Sequence, residues 1–283
     1  MSHRPSSDAI EVVRVAGALG AELRGVDLRE PLSDAQLGAI RRAWLEHLVV
    51  FFRDQPLTPS QFLAFARRIG EPVEYPFVKG LDGHPEIIEV KKLEHETSNF
   101  GGIWHSDTVY LERPPMASML LARELPPFGG DTLFANMYLA FETLSEGLRK
   151  TLSTLVAVHS SAKADVSRTR EDRIRTDGRD APSRTYLSEH PVVRTHPETG
   201  RKALYVNVAH TQRFVGWTED ESRALLEYLY QHQVRPEHTC RFVWQPGSIA
   251  LWDNRCTLHN PVNDYHGHRR VMHRITLAGE RPA

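Results

Sequence analysis

The chain has 283 residues, a formal net charge of −1 at pH 7, and 40% hydrophobic and 25% charged residues, as in an ordinary globular protein. Charges of both signs are mixed along the sequence, so no basic stripe predicts a nucleic-acid partner. Two cysteines, Cys240 and Cys256, are too few for a disulfide scaffold, and we expect both to be buried thiols. No apolar run reaches the ~20 residues of a membrane span and no signal-peptide core begins the chain, so we expect a cytoplasmic protein without a membrane partner.

The front of the chain predicts a flexible tail (residues 1–8), a strand (11–17) and a first helix. Ser33 and Gln36 have the spacing of a capping box, which places the start of this helix directly after Ser33. The apolar run 48–54 that follows has the length and character of a buried strand.

A second capping box, Thr58 and Gln61, opens another helix, which we expect to end at Gly70 in the left-handed conformation. Further on, a helix is predicted over 138–152 and another from Thr218. Strand-like runs bounded by turn signals fill much of the rest: 86–92, 104–110, 115–122, the second half of 126–136, a hairpin in 190–207, 240–254 and 269–279. Many short strands with helices at the front and between them predict a mostly β fold with flanking helices, in one domain spanning 1–283.

Residues 163–185 differ from the rest of the chain because they are highly charged and nearly devoid of apolar side chains. Such a segment buries too little surface to order itself, which favours a solvated loop. The functional alternative is a lid that closes over a site.

His105 and Asp107 stand two positions apart in GGIWHSDTVY (101–110). With 15 histidines in the chain, an accidental His-x-Asp is expected roughly once, and such a pair alone is more often structural than metal-binding. His259 supplies a second imidazole far downstream. Two imidazoles and one carboxylate form the facial triad that suits Fe(II) and leaves coordination positions open, and the lack of thiolates argues against structural zinc.

Arg270 and Arg274 share one face of the last predicted strand, because side chains alternate along a strand. Val271 and Ile275 occupy the opposite, apolar face. Two guanidinium groups aimed into one space predict an anionic ligand, since each can hold a carboxylate bidentately.

Together these motifs resemble a known family. HSD (105–107), GGDT (129–132), WDNR-x-x-x-H (252–259) and R-x-x-x-R (270–274) are similar to those of the taurine and 2,4-D dioxygenases, and the resemblance runs from residue 20 to near the end. Each motif alone is weak, but the set is specific. The resemblance implies a double-stranded β-helix (jelly-roll) core and an oxidoreductase that uses Fe(II), 2-oxoglutarate and O2.

The resemblance also implies roles for single residues. The implied iron ligands are His105, Asp107 and His259. Thr132 and Arg270 match the groups that hold the distal carboxylate of 2-oxoglutarate. Arg274 matches the arginine near the chelating end, which in the taurine branch also reaches the substrate anion.

The family's reaction consumes O2 and 2-oxoglutarate, releases succinate and CO2, and hydroxylates a C–H bond of the substrate. If the carbon carries oxygen or sulfur, the product collapses to a carbonyl compound and an alcohol, sulfate or sulfite. The protein contributes positioning and exclusion of water.

The substrate is expected to be a small organic anion with an apolar body, such as an alkyl sulfate ester, an aryloxyalkanoate or a sulfonate. Tyr75 stands about where the taurine branch has its sulfonate-binding histidine, and His210 replaces an aromatic residue, so taurine itself is not the expected substrate. Candidate walls of the substrate site are Tyr75, Thr108, Tyr110, Ser161 and His210, with Arg274 serving the anion. The resemblance further implies a homodimer or homotetramer.

Two other classes of function remain open at this stage. A metal-dependent hydrolase or lyase could use the same triad with zinc, but it gives no reason for Thr132, Arg270 and Arg274 to lie where they do, and it would turn over without O2. A non-catalytic anion-binding protein would bind no Fe(II). Further histidines are expected to be structural or solvated: His84, His196, His266, His268 and His273.

Overall fold

The computed structural model describes residues 10–76, 78–163 and 185–283. The predicted tail (1–8) and almost all of the predicted lid (163–185) lie outside the described residues.

The first part of the chain forms short strands and two capped helices. Its elements are β1 (Glu11–Arg14), β2 (Ala21–Arg24), α1 (Asp34–His47), β3 (Val49–Phe52), α2 (Pro59–Ile69), β4 (Pro72–Val73) and β5 (Ile87–Lys92). Both predicted capping boxes are confirmed: the hydroxyls of Ser33 and Thr58 accept hydrogen bonds from the backbone N–H of Gln36 and Gln61, respectively. These local signals fix where α1 and α2 begin.

The exit of α2 differs from the prediction. Gly70 has φ −171° and ψ −170°, which is extended backbone rather than the left-handed conformation. A Cβ atom at this position would lie 2.4 Å from Cε of Met116 and 3.4 Å from Cδ1 of Leu277. Glycine therefore permits the close approach of the helix end to these two side chains, and the backbone conformation itself is one that any residue adopts.

The remaining elements alternate between strands and short helices. They are β6 (Ala117–Glu124), β7 (Thr132–Asn136), α3 (Met137–Glu142), α4 (Glu146–Leu152), β8 (Val156–Ser160), β9 (Leu187–Pro191), β10 (Val193–Thr195), β11 (Lys202–Leu204), β12 (Thr211–Phe214), α5 (Glu219–Gln233), a 3-10 turn (Pro236–His238), β13 (Thr239–Phe242), β14 (Ile249–Asp253), β15 (Thr257–Pro261) and β16 (Arg270–Leu277). The helix predicted over 138–152 is two helices, capped by Asn136 and Ser145. The helix predicted from Thr218 is α5, with Thr218 and Glu221 forming a capping box at its start, and the hairpin predicted in 190–207 is β10–β11.

Most strands pair antiparallel. The large sheet has the order β1-β2-β3-β14-β6-β16-β4, with β5 also paired to β16, and smaller sheets have the orders β13-β7-β15 and β12-β8-β9. Apolar side chains of the large sheet alternate between two cores: Phe51 and Met272 pack toward the small sheets, whereas Phe52 and Ile275 pack toward α1 and α2. This is the jelly-roll core with flanking helices that the sequence predicted.

The strand predicted over 104–110 is wrong. His105 makes one isolated bridge to His259, and residues 107–110 form a turn in which Thr108 has φ +41°. Tertiary contacts override the β-forming tendency of this run, because strand propensity depends strongly on context. Among the described helices, none has the length and apolarity needed to cross a lipid bilayer.

Candidate active site

Three side chains from two distant parts of the chain, His105 and Asp107 on one side and His259 on the other, converge at one point. The backbones of His105 and His259 exchange hydrogen bonds of 3.0 and 2.8 Å, which fixes the loop after residue 101 to the middle of β15. Nε2 of each histidine lies 3.7 Å from Oδ1 of Asp107. One ligand atom from each of the three residues falls within 4.8 Å of the others.

The ring orientations suit metal binding. Nδ1 of His105 lies 2.7 Å from the carbonyl oxygen of Ile103, which can only accept a hydrogen bond, so the proton sits on Nδ1 and Nε2 keeps its lone pair. Burial lowers the pKa of His259 well below its usual value, and His105 adds to the shift. Neutral imidazoles are the form that binds a metal ion.

Asp107 is held in its ionised form. Burial by itself would raise its pKa, but Arg274 and the two histidines outweigh burial and hold the pKa well below its ordinary value. Nη2 of Arg274 lies 2.9 Å from Oδ1, and Oγ of Ser118 donates a 2.6 Å hydrogen bond to Oδ2. Ser118 in turn accepts a hydrogen bond from the side-chain amide of Asn254, so the carboxylate is oriented from behind. Two imidazoles and one oriented carboxylate fit a divalent metal ion such as Fe(II).

A cavity beside the triad is lined by the residues predicted to hold 2-oxoglutarate. It is bordered by His105 and His259 at one end and by Thr132, Trp244 and Arg270 at the other. Arg274 reaches the same cavity from the face of β16 that carries Arg270. The structure thus brings the predicted triad, the hydroxyl and the arginine pair into one continuous site.

Arg270 is 5% exposed, and its Nε and Nη2 atoms have no hydrogen-bond partner in the described part of the chain. Oγ1 of Thr132 accepts a 3.0 Å hydrogen bond from Nε1 of Trp244, which leaves the hydroxyl proton available to a ligand. Gly130 explains the GGDT motif: it has φ +70°, and a Cβ there would lie 3.1 Å from Cδ of Arg270. A buried guanidinium without a partner indicates a site for an anion.

A second cavity of about 280 Å³ adjoins the triad on its other side. Four of the predicted substrate residues line it together with Arg274: Tyr75, Thr108, Tyr110 and His210. Burial lowers the pKa of His210 to about 3, with His105 adding to the shift, so His210 is neutral at physiological pH.

Ser161 does not line this cavity. It exchanges hydrogen bonds with the backbone of Tyr186, whose ring lies 6.3 Å from that of Tyr110. Its position supports the wall from behind.

Sequence reasoning missed several residues that shape the site. Ser118 and Asn254 orient Asp107, Trp244 orients Thr132, and Lys92 borders the cavity beside Arg270. The only sequence signal for Ser118 is a small polar residue within the apolar run PMASMLLA. Nothing in the sequence singles out Lys92, because its position beside Arg270 depends on how β5 pairs with β16.

Comparisons with known proteins agree with this geometry. The model of the taurine catabolism dioxygenase TauD, TfdA family matches residues 11–276. The chain is 38% identical to an alpha-ketoglutarate-dependent sulfate ester dioxygenase of Pseudomonas putida, covering 98% of this chain and 92% of that protein. It is 37% identical to an alkylsulfatase of Acinetobacter baylyi, covering 96% of this chain and 86% of that protein.

Solved structures show the same likeness. A taurine dioxygenase from Burkholderia xenovorans superposes with a TM-score of 0.82 at 40% identity, over 97% of this chain and 92% of that one. AAD-2, solved with Mn(II) and N-oxalylglycine, superposes with a TM-score of 0.79 at 28% identity, over 97% of this chain and 99% of that one. The family model and the sulfate ester dioxygenase favour the dioxygenase over the hydrolase and binding-protein alternatives. The chain belongs to the TauD/TfdA family and is a 2-oxoglutarate-dependent dioxygenase.

Proposed function

We propose that this dioxygenase uses Fe(II) and O2 to hydroxylate an alkyl sulfate ester at the carbon next to the ester oxygen. The hydroxylated carbon then expels sulfate and becomes an aldehyde, while 2-oxoglutarate becomes succinate and CO2. The observation that carries this proposal is the second cavity: it joins the triad to Arg274 and to the rings of Tyr75 and Tyr110. An anion with an apolar body matches that combination of a cation and aromatic walls.

His105, Asp107 and His259 are proposed to hold Fe(II), which would activate O2, the oxidant, for reaction with 2-oxoglutarate and the substrate. Thr132 and Arg270 are proposed to hold the distal carboxylate of 2-oxoglutarate. This assignment is supported by the unpartnered Nε and Nη2 atoms of Arg270 within the described residues. Hydrogen bonds from a buried guanidinium to a carboxylate are charge-assisted, and they are stronger than bonds between neutral groups.

Arg274 is proposed to serve both the chelating end of the co-substrate and the substrate anion. It borders both cavities, and its guanidinium lies 5.1 Å from the ring centroid of Tyr75. Tyr75, Thr108, Tyr110 and His210 are proposed to surround the substrate body, with Ser161 supporting them from outside the cavity.

The reaction is tested by loading the protein with Fe(II) and 2-oxoglutarate under anaerobic conditions and then admitting O2 with a panel of substrates. The panel contains alkyl sulfate esters, aryloxyalkanoates and sulfonates. We expect one succinate and one sulfate per aldehyde for an alkyl sulfate. Sulfate release without O2 would indicate hydrolysis, and coupling only to a sulfonate or an aryloxyalkanoate would replace the proposed substrate class.

The substrate wall is tested by Tyr75→Ala and His210→Ala, with Tyr228→Ala as a control on the exposed side of α5. We expect the first two variants to change the ranking of kcat/KM across the panel, because they enlarge the cavity. The control should keep the ranking. An unchanged ranking in Tyr75→Ala and His210→Ala would contradict the assignment of these walls.

We also propose a homodimer or homotetramer in the cytoplasm. The reducing environment is supported by Cys240 and Cys256, which are free and buried. Light scattering coupled to size-exclusion chromatography measures the assembly, and a monomer would contradict this proposal.

A further inference from the structure

Lys92 is a buried cation at the end of β5, and it borders the cavity proposed for 2-oxoglutarate. The residue is 2% exposed. Its ammonium lies 2.8 Å from Oδ1 of Asn263 and 4.2 Å from the ring centroid of Tyr265. An amide oxygen and a ring face compensate a buried positive charge only in part, since buried charges are normally paired with an opposite charge.

The nearest carboxylates are committed to other partners. Burial lowers the pKa of Lys92, and Glu96 and Asp264 oppose this shift without reaching ion-pair distance. Glu96 accepts a 2.6 Å hydrogen bond from the backbone N–H of Leu93. Asp264 accepts one from Gly130 and lies 3.6 Å from Nη2 of Arg241. Lys92 therefore keeps a net positive charge that faces the cavity.

Lys92 lies directly opposite Arg270 in the β5–β16 register. Directly opposite residues of antiparallel strands project to the same face, with Cβ atoms about 5 Å apart, and like charges in this arrangement destabilise a sheet. Both cations are buried and both border the same cavity. Such a pair is stabilised when an anion binds beside it.

We propose that Lys92 is a second cationic binding residue for the distal carboxylate of 2-oxoglutarate, acting beside Arg270 and Thr132. This inference rests on the proposed co-substrate site. It adds a charge that the family motifs do not contain, and it predicts that the site favours dicarboxylates over 2-oxo acids without a distal charge.

The test measures binding of 2-oxo acids to Mn(II)-loaded protein by calorimetry, so that no turnover is needed. Lys92→Gln removes the charge and keeps a donor for Asn263, and Lys92→Met removes both. Lys150→Met is the matched control, because it removes an exposed lysine of α4 and changes the net charge equally. Thermal unfolding checks that every variant is folded, and Lys92→Arg tests whether a cation alone restores binding.

We expect both Lys92→Gln and Lys92→Met to weaken 2-oxoglutarate binding about tenfold, the size of one charge-assisted hydrogen bond. Lys150→Met should bind as the wild type does, and Lys92→Arg should recover most of the affinity. Binding of 2-oxovalerate, in which a methyl group replaces the distal carboxylate, should be the same in the wild type and in Lys92→Gln.

The inference is overturned if the two charge-removing variants bind 2-oxoglutarate as tightly as Lys150→Met does. It is also overturned if they weaken 2-oxovalerate binding equally, which would indicate a structural role. A wild-type protein that fails to bind 2-oxoglutarate would instead overturn the proposed co-substrate site, and this assignment with it.

Discussion

Two buried clusters of this protein contain similar residues but differ in whether their side chains are free to bind a metal ion. His105, Asp107 and His259 form one; His196, Asp253 and Cys256 form the other. In each cluster, atoms that could bind a metal ion lie within 4.8 Å of one another. By residue type and burial alone, both are candidate metal sites.

Their neighbours make the difference. Both oxygens of Asp253 are bound by Arg255, at 2.8 and 2.7 Å, and Nε2 of His196 lies 3.0 Å from Oδ2. Nδ1 of His196 accepts backbone hydrogen bonds from Glu198 and Thr199, so Nε2 carries the proton and cannot bind a metal ion. Burial raises the pKa of the Cys256 thiol well above its usual value. The polar atoms of His196 and Asp253 are thus already hydrogen-bonded within the protein, in keeping with the structural role predicted for His196. The triad of His105, Asp107 and His259 instead opens onto two cavities.

The difference between the two clusters is tested most directly by His259→Ala and His196→Ala. We expect His259→Ala to lower succinate formation by more than about a thousandfold, because it removes a proposed metal ligand and even indirect neighbours of a metal matter about 10- to 100-fold. His196→Ala should lower stability while activity per folded molecule stays within a few fold. Equal loss of Fe(II) binding in both variants would show that the clusters do not differ in this way.

The second cluster is tested by Asp253→Asn in urea unfolding. Removing one partner of a buried ion pair leaves Arg255 with an uncompensated charge, and we expect the free energy of unfolding to fall by about 3 kcal/mol. Asp27→Asn is the matched control, because Asp27 pairs with Arg29 at the surface and should change stability by less than about 1 kcal/mol. Similar effects of the two variants would contradict the structural role of Asp253.

Ser118→Ala is expected to weaken metal binding by the triad without removing any of the three proposed ligands. The hydroxyl orients Asp107, and its loss is expected to weaken Mn(II) binding about tenfold, measured by competition with a chelating dye. Ser222→Ala removes a buried hydroxyl that bonds only to the backbone near α5, and it should leave Mn(II) affinity unchanged. Unchanged affinity in Ser118→Ala would mean that the carboxylate is oriented by other contacts.

The pH dependence of stability tests the ionisation of Asp253. Burial alone would raise the pKa of Asp253, but Arg255 and His196 outweigh it and lower the pKa from 3.8 to about 2. A carboxyl whose pKa is lower in the folded state stabilises the protein fully above pH 3.8, and this contribution is lost as the pH falls toward 2. Between pH 5 and pH 3, the difference in unfolding free energy between wild type and Asp253→Asn should shrink by about 1 kcal/mol. A difference that stays constant would show that the carboxyl has an ordinary pKa.

Local signals explain what the sequence could predict. The starts of α1, α2 and α5 follow from capping boxes that lie within four residues, and the proposed metal ligands follow from motifs whose combination is specific. The turn at 107–110 and the extended Gly70 could not be predicted, since each depends on what packs against it. The roles of Lys92 and Ser118 could not be predicted either, because the residues they pair with or contact are far away in the sequence or are brought close only by the fold.

The pairing of β7 with β15 has a consequence for the size of the co-substrate. Phe134 lies opposite His259 and Thr132 lies opposite Pro261, so two residues of strand, about 7 Å, separate the level of the metal ligand from that of the hydroxyl. On the proposed assignment, this backbone register acts as a ruler for the carbon chain of the 2-oxo acid. A 2-oxo diacid that is one methylene longer or shorter carries the same charges, but its distal carboxylate would not lie level with Thr132. The strand register therefore selects co-substrates by chain length.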